Sequence, residues 1–502
     1  MITTQQLSRT FSVRDVADDL TRLRKDWVSC IPIVLVTLAL LAGKIDVGRL
    51  IPTGIELVAE IELRFVFLFF AGVVWWFADR APGPKTPGRL ALVFAAFVSA
   101  SILHAFVFYQ NAYTTKYLLD FATLLIMLLI LVACYRSELH RRMAAATILA
   151  VALGLCLLGF LGALDGDNSQ IGWSPLGTTI SFVRIAFFGI LAVSYLMAVY
   201  RSGHFWFGVI LFVLGYGAIA SSMKVAFVFL GAWAFGLVVV ALSTQKLRSL
   251  AMVCSAIVVL FAGAGASFVI EDTRVFDRFR QAVGSYTTLP APLTREEVEE
   301  VTPADPAEQL DLEALASDVF PGRVLPWGCI ALPDPSRLTV YDFVRQGVDA
   351  DSWECVFIDR TARMAFAIEA VRQFIENPIL GAGFGSFFMW TYEYDEFQYR
   401  YPHSVPLEIL AAGGLPLFAL FAVLVGLFLF TSIVDAQRNG LGSAFPFMIG
   451  MLAAASVGGD FYDMRYFFFA ALIFISPIGG SETTSKEAVN RVVRHPVETV
   501  RL

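Results

Sequence analysis

One polar interruption in an otherwise apolar ribbon constrains this chain more than any other feature. Between about residues 270 and 403 a long polar segment separates nine hydrophobic runs from three more, and it closes on Tyr399-Arg400-Tyr401-Pro402-His403-Ser404. A multi-span protein that keeps one large loop on one face, ending in a histidine at the mouth of a helix, is placed to do chemistry there.

The rest of the chain reads as membrane. It is 57% hydrophobic and only 16% charged, with a mean hydropathy of +0.69. A soluble fold of 502 residues could not bury that much apolar surface, so the bilayer is the expected solvent. Runs long enough to span fall roughly at 28–43, 63–79, 90–109, 117–134, 143–164, 179–200, 204–221, 223–242, 249–269, 404–433, 444–459 and 465–480. The expected fold is therefore all-α: a polytopic integral membrane protein with about 12 transmembrane helices and one large loop. Its parts are a tail at 1–27, nine spans over 28–269, the loop over 270–403, three spans over 404–480 and a second tail at 481–502. The first apolar run lies behind a charged segment and has no small-residue cleavage site, so it is expected to stay as a span.

Basic residues predict the sidedness. Arg9, Arg14, Arg22, Arg24, Lys25, Arg80, Lys85, Arg89, Arg136, Arg141, Arg142, Arg201, Lys246, Arg248, Arg438, Lys486, Arg491, Arg494 and Arg501 all fall on one side of the alternating spans. The short loops opposite hold Lys44, Arg49, Lys116 and little else. By the positive-inside rule both tails are cytoplasmic and the large loop faces outward, which in a bacterial inner membrane is the periplasm. The net charge of −6 comes mainly from the acidic part of that loop and calls for no nucleic-acid partner.

The loop has two halves. Residues from Gly284 to Asp318 are rich in Pro and acid, including Glu296, Glu297, Glu299, Glu300 and Asp305, and read as a solvated insertion. From Thr361 to Glu376, Met364, Ala367, Ile368, Val371, Phe374 and Ile375 mark one apolar face of an amphipathic helix, which Pro378 stops. A turn follows, Gly381-Ala382-Gly383-Phe384-Gly385. No strand precedes it, so it is a poor nucleotide fingerprint, and its glycines read as a close backbone approach or a sharp reversal. Cys329 and Cys355 share the loop, where an oxidising compartment leaves a disulfide between them open. No Cys or His spacing suits a metal, and none is expected.

Ionisable residues at or within spans are costly and are functional suspects. Arg184 lies about one turn into the sixth span, Lys224 opens the eighth, His403 opens the tenth, and Asp460, Asp463 and Arg465 flank the outer end of the last hairpin. Each has a bland account: an arginine near a helix end snorkels to headgroups, a lysine anchors a helix, a histidine caps one. Their shared side and depth is what points to a site. Arg and Lys suit a diphosphate, and a neutral imidazole suits a hydroxyl nucleophile as base.

The run Arg363-Met364-Ala365-Phe366 through Glu376-Asn377-Pro378-Ile379-Leu380-Gly381-Ala382-Gly383-Phe384-Gly385, followed by Pro402-His403-Ser404 and Gly413-Gly414-Leu415, resembles the signature of the O-antigen ligase and polysaccharide polymerase superfamily. That family has a loop-helix arginine, a Pro-x-x-Gly-x-Gly-x-Gly turn, and a histidine separated from a glycine by ten residues, the spacing His403 and Gly414 keep. Ser404 stands where the family usually has Asn, and Lys224 where it usually has Arg. The resemblance implies a GT-C-like fold and metal-independent, cofactor-free transfer of an undecaprenyl-diphosphate-linked glycan to a glycan or lipid acceptor. It implies His403 as catalytic base, Arg184, Lys224 and Arg363 as diphosphate ligands, and Gly383, Gly385 and Gly414 as supporting residues. Glu408, five residues past His403, is off its helical face and reads as structural.

Two other classes compete. A transporter or lipid-linked glycan flippase predicts internal repeats, broken helices and midplane charges; no repeat is visible and the charges gather at one face. A membrane sensor predicts a cytosolic output domain, for which the tails are short.

Overall fold

The computed structural model describes residues 13–43, 61–77, 88–108, 112–135, 137–164, 179–200, 204–220, 224–244, 247–270, 329–332, 354–357, 363–391, 396–399, 402–439, 443–459 and 461–475. The apolar runs are helices, because a chain among lipid tails must satisfy its backbone within each segment. In order they are α1 (Val13–Ala42), α2 (Leu63–Phe77), α3 (Arg89–Val107), α4 (Ala112–Cys134), α5 (Glu138–Leu164), α6 (Thr179–Tyr200), α7 (His204–Ala220), α8 (Lys224–Thr244) and α9 (Leu247–Ile270). After the loop come α10 (Arg363–Glu376), α11 (Val405–Asn439), α12 (Phe445–Val457), a 3-10 turn (Phe461–Met464) and α13 (Arg465–Phe474). Hydroxyls inside the helices turn back on the carbonyl four residues earlier, as Ser101 does to Phe97, Thr123 to Leu119 and Ser194 to Ile190.

Six of the described helices are long and apolar enough to cross a membrane, and five shorter apolar helices accompany them. Large side chains such as Phe69, Trp76, Phe106 and Phe235 stand exposed on the bundle surface, which suits a hydrocarbon solvent and not water. The protein is a membrane-embedded helical bundle. At its centre sit α6, with 78% of its apolar window buried, and α13, in which every residue is buried.

The structure departs from the expected boundaries and class in three places. α1 starts at Val13, so helix runs through the charged segment expected to be a tail. The loop contributes two short antiparallel pairs, β1 (Cys329–Leu332) with β2 (Glu354–Phe357) and β3 (Phe388–Thr391) with β4 (Glu396–Tyr399), where only helix was expected. In the first pair Cys329 lies opposite Phe357 and Cys355 opposite Ala331. In that register the two cysteines are not directly opposed. The acidic stretch Gly284–Asp318 lies outside the described residues.

The third departure concerns α10. Arg372 and Gln373, which lie outside its expected apolar face, are buried, while Ile375, on that face, is exposed beside Ile379 and Leu380. α10 packs on α11, and Arg372 holds Glu376 at 2.7 Å. The exposed isoleucines suit a helix lying at a membrane surface.

The helix ends alternate between two poles. At the pole away from the loop, the Tyr135 hydroxyl donates to the Ile473 carbonyl at 2.5 Å and receives Arg141 at 3.1 Å, and Glu138 holds Arg141 and Tyr195. Burial pushes the Tyr135 hydroxyl up to about 12, so it remains a neutral donor. The other pole collects the ends of α1, α2, α3, α4, α6, α11, α12 and α13 beneath α10.

Candidate functional site

α11 is two helices joined at a break. Gly414 has φ 64° and ψ −171°, a conformation open to glycine alone, and Pro416 restarts the helix two residues later. The half-helix before the break carries Glu408, Ala411 and Ala412. Against the break lies the glycine turn, where Gly381, Gly383 and Gly385 all have positive φ. The turn and the break are stitched together. Ala382 donates to the Ala411 carbonyl at 2.8 Å, Gly383 to Ala412 at 2.9 Å, and Leu415 back to Pro378 at 2.9 Å. Two further helices pin the turn: His104 of α3 donates to the Leu380 carbonyl at 2.6 Å, and Thr114 of α4 to Phe384 at 2.8 Å. The expected close backbone approach is what these glycines provide.

Between the turn and the half-helix is a small cleft, open to solvent, with room for about one water molecule. Gly383, Gly385, Ser386 and Gln373 form one wall, and Tyr117, Glu408 and Pro402 the other. The Tyr117 hydroxyl donates to Glu408, and the Ser386 hydroxyl to Gln373 at 3.2 Å. Glu408, Gln373 and Tyr117 are all buried. The sequence reading put Glu408 off the helical face of His403 as a structural residue. The expectation assumed a helix running through His403, but α11 begins at Val405, and His403 has φ 54° outside it. Five-residue helical spacing does not apply across that bend. His403 is half-buried and directly follows Pro402 in the cleft wall.

A second polar cluster lies deeper, among α2, α4, α6 and α13. Arg184 is buried and ion-paired with Asp463, and donates to the Gly458 carbonyl at 3.4 Å. Arg465 shares Asp463 at 3.4 Å, donates to the carbonyls of Leu40 and Tyr462, each at 3.1 Å, and reaches the Tyr466 hydroxyl at 2.9 Å. Arg64 pairs with Asp120 at 2.5 Å and with Glu62. The guanidiniums of Arg64 and Arg465 both lie over the Tyr462 ring, at 4.6 and 4.2 Å. Buried charges persist only when paired in this way.

α4 joins the two places. Tyr117, which holds Glu408, and Asp120, which holds Arg64, are three residues apart on it, a rise of about 4.5 Å. Phe121, on the next step, packs edge-to-face on Phe384 of the glycine turn and at a tilt on Phe461 of the 3-10 turn, with centroids at 5.0 and 5.1 Å. The structure thus places Gly383 and Gly385 in the cleft lining, Gly414 against Gly381 of the same turn, and Arg184 in the second cluster, while His403 follows Pro402 of the lining without lining the cleft itself. Lys224 is the first residue of α8 and Arg363 the first of α10; their side chains, and Asp460, lie outside the described residues. Sequence reasoning missed Arg64, Asp120 and Tyr117. An arginine and an aspartate inside apolar runs were signal enough to find the first two. Among the described residues no group of three or more His, Cys, Asp or Glu is gathered for a metal.

No family model matches this chain, nor does a curated protein or a solved structure. The functional reading therefore rests on the site.

Proposed function

We propose that this protein is an O-antigen ligase-like glycan transferase of the bacterial inner membrane, with about twelve crossings and its cleft on the periplasmic side. It moves or polymerises a glycan carried on undecaprenyl diphosphate. The observation that carries this reading is the meeting, within one turn of α4, of a polar cleft lined by Pro402, the residue before His403, and a buried arginine cluster. The motif resemblance supports it.

In this reading an acceptor hydroxyl attacks the anomeric carbon of the lipid-linked sugar. His403 takes the hydroxyl proton, a new C–O bond forms, and the bond to the diphosphate oxygen breaks with its electron pair leaving on the diphosphate. Arg184, Lys224 and Arg363 hold that leaving group and stabilise its growing charge. Arg184 would exchange Asp463 for phosphate oxygen as it does so. No cofactor enters the step, because the donor arrives activated.

The test is the surface and lipid-linked glycan profile of a deletion strain complemented with wild type or His403→Ala. Long polymer stranded on undecaprenyl diphosphate with bare acceptor means a ligase, and single repeat units without long chains mean a polymerase. An unchanged profile with His403→Ala at wild-type membrane levels overturns the reading.

The break in α11 favours a second reading, a transporter or flippase of lipid-linked glycan, since broken helices build transporter sites. That reading predicts lipid-linked glycan trapped on the cytoplasmic leaflet in the deletion strain.

A further inference from the structure

The glycine turn carries an apolar tip that the described residues leave exposed. Ile379 and Leu380 are 68% and 54% exposed, with Ile375 near the end of α10 and Leu415 at the break in α11 exposed beside them. At the end of α3, Leu103, Phe106 and Val107 are exposed as well. Two bonds tie these places together: His104 of α3 donates to the Leu380 carbonyl, and the Leu415 amide to the Pro378 carbonyl. We propose that Ile375, Ile379 and Leu380 insert into the hydrocarbon edge of the leaflet on the loop's side, so that lipid covers this tip and holds the turn at the level of the headgroups. The inference goes beyond the proposed reaction and does not depend on it.

Depth is fixed twice. α3 has 19 residues and rises about 28 Å, close to the roughly 30 Å of a hydrocarbon core, which puts its last turn at the boundary. The apolar run of 32 residues over Val405–Ala436 would measure about 48 Å if straight, too long for one crossing. From Pro416 to Ala436 it measures about 31 Å, enough by itself, so the break at Gly414 falls at the boundary too. The tip is bonded to both helices at those points. It also continues their lipid-facing flanks, where Leu92 on α3 and Val423 and Phe430 on α11 are exposed.

The backbone of the tip is prepared for lipid. The carbonyls of Asn377, Pro378 and Leu380 accept from the Gly381 amide at 2.8 Å, the Leu415 amide at 2.9 Å and the His104 ring at 2.6 Å. A chain entering hydrocarbon has no water to take these groups and must satisfy them internally. The polar residues between the apolar ones suit the boundary, since Arg372 holds Glu376 at 2.7 Å and Asn377 is left exposed at headgroup level. A helix with one apolar and one polar edge is the kind that lies in the plane of an interface.

The test uses the full chain in lipid nanodiscs, labelled in parallel by a phosphatidylcholine with a diazirine midway along one acyl chain and by a water-soluble diazirine. Tandem mass spectrometry locates the adducts, with Phe106 as the reference for the boundary. Ile379 and Leu380 are expected to take the lipid carbene within about threefold of Phe106, and the aqueous carbene to leave them unmarked. Aqueous labelling alone would put the tip in water. Labelling by neither carbene would mean that protein covers it, either the rest of the loop or a second copy of the chain. Each of those results overturns the proposal. The double variant Ile379→Asp, Leu380→Asp puts carboxylates where hydrocarbon is expected, and lipid adducts at Ile375 should fall about fivefold or more while those at Phe106 stay. The control pair Ile379→Val, Leu380→Val should keep them. Unchanged labelling of Ile375 in a folded aspartate variant also overturns the proposal, and the wild-type labelling decides it even if that variant does not fold.

Discussion

Gly381 and Gly414 meet backbone to backbone: a Cβ on Gly381 would lie 2.5 Å from the Gly414 nitrogen, and one on Gly414 would lie 2.7 Å from the Gly381 nitrogen. Real Cβ atoms do not approach that closely, and the atoms in the way are main chain, which cannot rotate aside. Both residues also have positive φ, at 70° and 64°. The cleft therefore depends on a joint that tolerates no side chain on either partner.

Gly414→Ala is expected to cost at least about 2–3 kcal/mol, combining its backbone conformation with the overlap. Gly426→Ala is the control. It lies in α11 beyond the break with nothing within 4 Å of its Cβ position, so no loss is expected. Thermal unfolding of the purified variants in detergent separates the two. Equal losses would mean the joint is looser than described.

Asp463 is the shared partner of Arg184 and Arg465. Removing it leaves two buried guanidiniums without that carboxylate, whereas removing Arg184 leaves Asp463 with Arg465. Asp463→Ala is expected to lose about 3–5 kcal/mol and Arg184→Ala less. The pair of single variants and the double variant measure the coupling, and additivity of the two losses would show that the ion pair does not hold these helices together.

The bundle was legible in the sequence because apolar run length and the bilayer leave one solution, and the amphipathic helix from 363 to 376 was legible from its spacing. What the sequence could not show was long-range pairing. Tyr117 and Glu408 are 291 positions apart, and Arg64 and Asp120 are 56 apart. No local pattern links them; only the fold does. The burial of α10 was misread for a related reason, since Arg372 and Gln373 face partners that periodicity does not see. The helix break was readable in principle. Gly413-Gly414-Leu415-Pro416 carries the stop and restart residues, but an apolar run of 32 residues over Val405–Ala436 conceals them.

The glycine turn gives the last prediction. His104 reaches it from α3 and donates to the Leu380 carbonyl, four chain positions before the turn's Phe384, which Thr114 holds from α4. His104→Ala removes one of these two side-chain anchors while leaving α3 helical, because its ring lies against Phe108 and Phe384 and not in the helix ladder. The amides of Ala382 and Gly383, bonded to Ala411 and Ala412, report on the turn directly. In wild type they are expected to exchange slowly. In His104→Ala they are expected to exchange about five- to tenfold faster, the loss of roughly 1 kcal/mol of local stability, while amides of α6 stay unchanged. Because the same turn lines the cleft, the proposed glycan transfer should fall in this variant with little loss of protein from the membrane. Unchanged exchange at Ala382 and Gly383 would mean that α11 alone holds the turn.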